Sequence, residues 1–192
     1  MKKFELTSET KINIFGKKLF RIKALISFGD VEAGETGGWV EKEGNVNQSG
    51  DAWVYGDAMV SGDAMVSGDA MVYGNAMVYG NAMVYGNAMV SGDAMVYGNA
   101  MVSGDARVYG DAMVSGDARV YGDADYTTIH GFGTQFRTTT FFRCKDKKVR
   151  VACGCFFGTI PEFREQVKNT RKGKIAEEYL MIADLMEKHF EK

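Results

Sequence analysis

Proline occurs once in 192 residues, histidine twice and cysteine three times. The single proline excludes a collagen-like chain despite 24 glycines, because collagen needs glycine at about one residue in three and abundant proline. No apolar stretch approaches the roughly 18 residues of a membrane-spanning helix. The start, MKKFELTSET, lacks the apolar run of a secretory signal. The expectation is a cytoplasmic protein with reduced cysteines and no membrane partner. A formal net charge of −2 offers no global attraction to nucleic acid or to an anionic membrane. Hydrophobic residues make up 45% of the chain, too many for a disordered one. The length suits one extended domain or two small ones.

What the chain has in excess is glycine, and its placement is regular. Glycine recurs at every sixth residue from Gly50 to Gly122, thirteen times without a miss, and valine does so from Val54 to Val120, giving twelve units. A helix cannot carry this pattern. Six residues do not keep one face aligned at 3.6 per turn, and each glycine would cost about 1 kcal/mol. Extended strands can carry it. In Ala-Met-Val-Tyr, side chains alternate, with Ala and Val on one side and Met and Tyr (or Ser) on the other. Gly-Asp or Gly-Asn then makes the bend, since both residue types tolerate turn conformations. Such self-similarity predicts a solenoid.

Val54-Tyr55-Gly56-Asp57-Ala58-Met59 fits the unit of the hexapeptide-repeat family, which the chain resembles. That resemblance implies a mainly β fold, the left-handed parallel β-helix, with three hexapeptides per triangular coil of 18 residues. Twelve units then make four coils, about 4.8 Å apart. Trp39-Val40 and Asn45-Val46 continue the period backwards, but Val46 and Val54 are eight apart, so two surplus residues near Asn47 to Ser49 should bulge at a corner. Tyr126 stands where the next valine would fall. The expected domains are an N-terminal β cap over 1–38, the solenoid over 39–126 and a C-terminal α+β unit over 127–192.

Sorting by 18 assigns outward residues to three faces. One stacks Met59, Met77, Met95 and Met113, with Ser61, Tyr79, Tyr97 and Ser115 beside them. A second stacks Met65, Met83, Met101 and Arg119, with Ser67, Tyr85, Ser103 and Tyr121. The third stacks Trp53, Met71, Met89 and Arg107, with Tyr55, Tyr73, Ser91 and Tyr109. Methionine suits adaptable contact surfaces and tyrosine is favoured at interfaces. The candidate binding residues are Met59, Met77, Met95 and Met113 with Tyr79, Tyr97, Tyr55, Tyr73 and Tyr109. Tandem expansion with Met tolerated on a pleated surface is the alternative. Residues 51–124 hold nine Asp and two Arg, whereas residues 125–192 carry +4. The Asp are spread over three corners, interrupted by Asn75, Asn81, Asn87 and Asn99, and turn geometry accounts for them. This argues against nucleic-acid mimicry.

An open solenoid end is an unpaired edge and needs a cover. Lys11–Phe15 and Lys18–Ile22 around Gly16-Lys17 predict an N-terminal β-hairpin. Thr138–Cys144 and Lys148–Cys155 predict a second hairpin. Thr159 with Glu162 three residues on reads as a capping box opening a helix to about Asn169. Ile175, Tyr179, Ile182, Met186 and Phe190 form a second helical stripe after Gly173, completing a small ββαα unit. The LFRIKALISFGDVEAGETGGWVE segment, the repeats and the FFR…VACGCFFGTIPEF tail together resemble a group of phage and prophage proteins. That resemblance implies an accessory protein acting on a host protein, such as a defence component, in the host cytosol. It carries over no catalytic residue.

Many hexapeptide-repeat proteins are acyltransferases that use a histidine base, the group best suited to proton transfer near neutral pH. The regular units hold no histidine and no long insertion; His130 and His189 lie outside them. Cys153 and Cys155 with Cys144 lack the four-ligand spacing of a zinc site. The cationic stretch Arg143, Lys145, Lys147, Lys148 and Arg150 has no aromatic platform for a nucleic-acid strand. The expected function is therefore a non-enzymatic interaction module without catalytic residues, metal or cofactor, binding a host protein. Self-association into an oligomer or filament is the second reading, and an acyltransferase-like enzyme the third.

Overall fold

The structure is a computed structural model that describes residues 2–191. Strands β1 (Phe4–Ile12) and β2 (Lys18–Ala24) pair antiparallel, Phe4 opposite Ala24 and Ile12 opposite Lys18. The hairpin forms, but its first strand ends at Ile12 and residues 13–17, not Gly16-Lys17 alone, make the turn, because Asn13 Oδ1 accepts the N–H groups of Phe15 and Lys17 and closes the chain there. The free edge of β2 pairs with β3 (Thr36–Val40), which runs parallel to the rung Met59–Val60.

Twelve two-residue rungs follow at six-residue steps. They are β4 (Trp53–Val54), β5 (Met59–Val60), β6 (Met65–Val66), β7 (Met71–Val72), β8 (Met77–Val78), β9 (Met83–Val84), β10 (Met89–Val90), β11 (Met95–Val96), β12 (Met101–Val102), β13 (Arg107–Val108), β14 (Met113–Val114) and β15 (Arg119–Val120). They stack into three parallel sheets, β3-β5-β8-β11-β14, β6-β9-β12-β15 and β4-β7-β10-β13, about five turns in all. Met59 lies opposite Met77 and Val60 opposite Val78, so the 18-residue sorting gives the true neighbours. Every interior Ala and Val from Ala52 to Val120 is at most 1% exposed. Each buried valine contributes about 1.5–3 kcal/mol before chain entropy is counted. At most corners glycine sits over glycine: a Cβ on Gly92 (φ 69°) would approach the Gly110 nitrogen to 3.0 Å.

The phase slip lies in the predicted place. Trp39 pairs with Met59 and Val46 bridges Val66, both twenty residues apart, whereas Trp53 pairs with Met71, eighteen apart. The surplus residues do structural work. Gln48 Oε1 accepts from the backbone N–H of Lys3 at 2.8 Å and of Phe4 at 3.3 Å, and its Nε2 donates to Phe4 O at 3.2 Å. The bulge thereby docks the start of β1.

The ladder has a polarity that decides the chemistry of both caps. Backbone N–H groups at the Met and Tyr/Ser positions, at Asp69 and at the four corner Asn donate to carbonyls of the following coil, as Met77 N does to Ala94 O and Asn75 N to Gly92 O. The first coil therefore presents carbonyls without donors, and the last presents N–H groups without acceptors. Burying either kind unpaired costs free energy. At the N-terminal end the partners are donors. Lys3 Nζ donates to Gly50 O at 3.0 Å and Ala52 O at 2.8 Å. Fully buried Asn45 donates through Nδ2 to Gly62 O at 3.1 Å and Ala64 O at 2.8 Å. Arg21 donates to Gly56 O at 3.2 Å. At the C-terminal end the partners are acceptors: Asp123 Oδ1 takes Arg107 N at 2.9 Å, Thr140 Oγ1 takes Met113 N at 3.0 Å, and Asp125 Oδ2 takes Tyr121 N at 3.0 Å.

The C-terminal unit departs from the expected ββαα. Two further strands flank the predicted hairpin, giving an antiparallel sheet in the order β16 (Tyr126–Phe132), β17 (Arg137–Arg143), β18 (Val149–Cys153), β19 (Phe156–Thr159). The mixed Thr/Gly pattern of 127–132 concealed β16. Strand β18 ends at Cys153, where Gly154 adopts φ 60° and reverses the chain, so Cys155 does not continue it. Alternation splits the sheet between two cores. Tyr126, Phe142, Cys144 and Ala152 close the end of the solenoid, while Phe141 and Val151 face helices α1 (Ile160–Thr170) and α2 (Gly173–Phe190). The capping box forms as expected, Thr159 Oγ1 accepting from Glu162 N and the Glu162 carboxylate from Thr159 N. Phe163, Val167, Tyr179, Ile182, Met186 and Phe190 fill the second core.

Candidate interaction faces

The three outward faces differ in how far the chain covers them. The face carrying Met59, Met77, Met95 and Met113 is bordered by its own caps. Phe15, at the tip of the N-terminal hairpin, packs on Tyr79 with ring centroids 4.8 Å apart, and Tyr79 stacks on Tyr97 at 4.9 Å with the ring planes nearly parallel. Tyr97 covers one side of Tyr79 and Phe15 also lies against its ring. Ser61 is 5% exposed. Burial pushes the Tyr79 phenol up to about 12. At the other end, Ser115 is buried and the Phe157 ring lies against Gly116. Phe136, Arg137 and Thr138, from the β16–β17 turn and the start of β17, share a cleft with Met95 and Met113. All four methionines of this face are half-buried.

The face that begins with Trp53 is sealed at its start. Trp53 occupies an outward position, yet Phe4 and Phe28 pack edge-on against it at 5.8 and 5.3 Å and leave it fully buried. It is not part of an exposed ladder. Tyr55 is half-buried with its phenol pushed up by burial, and Tyr73 donates its hydroxyl to Met89 Sδ at 3.6 Å. Tyr109 is open, edge-on to Tyr126.

The face of Met65, Met83 and Met101 is the open one. Met65 is 42% and Met83 37% exposed, the highest values among the outward methionines. Neither belongs to the candidate set drawn from the sequence. The repeat makes all three faces look alike, and only the landing sites of the hairpin tips distinguish them. The row ends at Arg119, whose guanidinium donates to the Asn99 and Ala118 carbonyls, and at Tyr121, 54% exposed. There it meets Arg143, Lys145 and Lys147 around one cleft.

The corners are hydrogen-bonded ladders. Asn75 donates to Asp93 at 2.9 Å, Asn87 to Asp105 at 2.9 Å and Asn99 to Asp117 at 3.2 Å. Asparagine thus separates carboxylates that would otherwise stack. His130 is exposed on β16, its Nδ1 3.2 Å from Thr138 Oγ1. Among the described residues no group of three or more His, Cys, Asp or Glu could hold a metal ion, and no helix is long and apolar enough to cross a membrane.

Seven overlapping windows between residues 52 and 122 match a family model described as the YdcK beta-solenoid repeat. The chain is a β-solenoid repeat protein. The matched windows coincide with the regular rungs and leave out both caps. No curated protein matches the chain.

Proposed function

We propose that this solenoid is a non-enzymatic docking module, an accessory protein of the phage hexapeptide-repeat type that binds a host protein in the host cytosol. Its contact surface is the Met65–Met83–Met101 face. The observation that carries this reading is the exposure of Met65 and Met83 in a flat, in-register row that the two caps leave open. The row runs into the cationic end formed by Arg119, Lys145 and Lys147. A complementary partner has an apolar strip ending in carboxylates. Buried methionine contacts supply the affinity and the charges set orientation and encounter rate.

The experiment is a pull-down from host lysate with three proteins of equal folded content: wild type, Met65→Glu/Met83→Glu and Met77→Glu/Met95→Glu. The expected result is a stoichiometric protein partner lost with the first variant and kept with the second. A partner retained by both, or none with any of the three, overturns the assignment. A second reading, head-to-tail self-association, draws on the opposite charges of residues 51–124, net −7, and residues 125–192, net +4. It predicts a concentration-dependent size in light scattering that collapses with added salt.

A further inference from the structure

The docking reading makes no use of two cysteines that the fold brings together. Gly154 takes φ 60° and the flanking residues Cys153 and Phe156 pair across the reversal, so Gly154-Cys155 is a two-residue hairpin turn of the type that places glycine first. Cys153 and Cys155 line the same small cleft, of about 110 Å³. Two virtual bonds of about 3.8 Å bent through a turn bring their Cα atoms within about 7 Å, which overlaps the span a disulfide bridges. The two sulfurs stand in different surroundings. Cys155 is exposed, whereas Cys153 is half-buried and its Sγ accepts from Thr139 Oγ1 at 3.1 Å. Arg137 and Arg171 line the same cleft, and the Arg137 guanidinium lies so close over Gly154 that a Cβ there would overlap it.

We propose that Cys153-Gly154-Cys155 is a thiol–disulfide exchange site for anionic low-molecular-weight disulfides. Cys155, as thiolate, attacks one sulfur of the incoming disulfide; its S–S bond breaks, and one thiol leaves with a proton from solvent. The mixed disulfide on Cys155 is then attacked by Cys153, which loses its proton to solvent. The Cys153–Cys155 bond forms, and the second thiol departs. The protein dithiol is oxidised by two electrons and the small disulfide is reduced to two thiols. The arginines hold the carboxylates of the incoming molecule. Cys144 stays outside this chemistry, because burial in the solenoid core pushes its thiol up to about 11.

The test uses the full chain with oxidised glutathione, followed by alkylation of the remaining thiols and mass spectrometry. In wild type, Cys153 and Cys155 should become unreactive together with the loss of two hydrogens, leaving Cys144 alkylated once the chain is unfolded. Cys153→Ser should stop at a glutathione adduct on Cys155. Cys155→Ser should react more than about tenfold more slowly, since the remaining attacker is shielded. Arg137→Ala/Arg171→Ala should slow the reaction with oxidised glutathione but leave the rate with uncharged hydroxyethyl disulfide unchanged. A wild-type product that remains a stable adduct on Cys155, equal modification of all three cysteines, or no reaction overturns the proposal. An equal loss of rate with both disulfides overturns the role of the arginines.

Discussion

Replacing Asn45 by Asp is the sharpest test of the ladder polarity, because it exchanges a donor for an acceptor with almost no change of shape. Asn45 is fully buried; its Nδ2 serves Gly62 O and Ala64 O, and its Oδ1 accepts from Lys42 N at 2.9 Å. Asp keeps the acceptor and removes both donors, placing an oxygen against two carbonyls. Each orphaned carbonyl costs about 1–3 kcal/mol, and repulsion adds to that, so about 3–5 kcal/mol is expected. At roughly 2–4 °C per kcal/mol for a chain of this size, the thermal midpoint should fall by about 6–20 °C. Lowering the pH should return part of the loss, since a protonated Asp regains one donor. The matched control sits at the other end. Asp123→Asn keeps a carbonyl oxygen for Arg107 N, so it should cost at most about 1 kcal/mol, the difference between a charged and a neutral acceptor. Thr140→Val removes the acceptor of Met113 N and should cost about 1–3 kcal/mol. Thermal and urea unfolding followed by circular dichroism measures all three. An Asn45→Asp protein as stable as wild type, or an Asp123→Asn protein damaged as severely as Asn45→Asp, would refute the polarity argument.

Three further outcomes follow from the same geometry. Gly56→Ala should cost about 1–2 kcal/mol from positive φ (57°) alone, since its side is open, whereas Gly92→Ala must also displace the Gly110 backbone and should cost about 1–3 kcal/mol more in chemical denaturation. Phe15→Ala should unstack the hairpin tip and lower the Tyr79 ionisation midpoint from about 12, read by ultraviolet difference titration. Because the folded state holds that proton above pH 10 while the unfolded chain releases it, Tyr79 makes stability fall with pH there, and less steeply in the variant. Burial pushes Lys3 down from 10.5 to about 8, so between those values the unfolded chain binds the extra proton. Lys3 therefore contributes a rise of stability with pH in that window. Lys3→Met should abolish this contribution and be less stable throughout, because Gly50 O and Ala52 O lose their donor.

The parts legible in advance share one cause: local periodicity. Alternation within Ala-Met-Val-Tyr sorted inside from outside, and counting by six located the surplus residues at 47–49. The capping box at Thr159 and Glu162 announced α1 because its signal spans only four residues. Strand β16 is not legible for the opposite reason. Its Thr-Thr-Ile-His-Gly-Phe sequence carries little alternation, and it becomes a strand through pairing with β17. Alternation extends the strand to Cys155, but Gly154, with positive φ, reverses the chain one residue earlier.

From its own sequence the protein reads as a β-solenoid with Ala and Val inside and Met, Tyr and Ser outside, since a strict six-residue period with a glycine in each unit suits short strands and turns and not a helix; the three faces follow from the hexapeptide-repeat resemblance. Only the tertiary structure decided which outward side chains remain available. Phe15 reaches Tyr79 and Phe157 reaches Gly116, both far away in sequence, Phe4 and Phe28 bury Trp53, and Met65 and Met83 stay open because no cap reaches them. Identical hexapeptides carry no information about their distance from the caps. Stacking alone creates that distance, and with it the difference between a covered face and a free one.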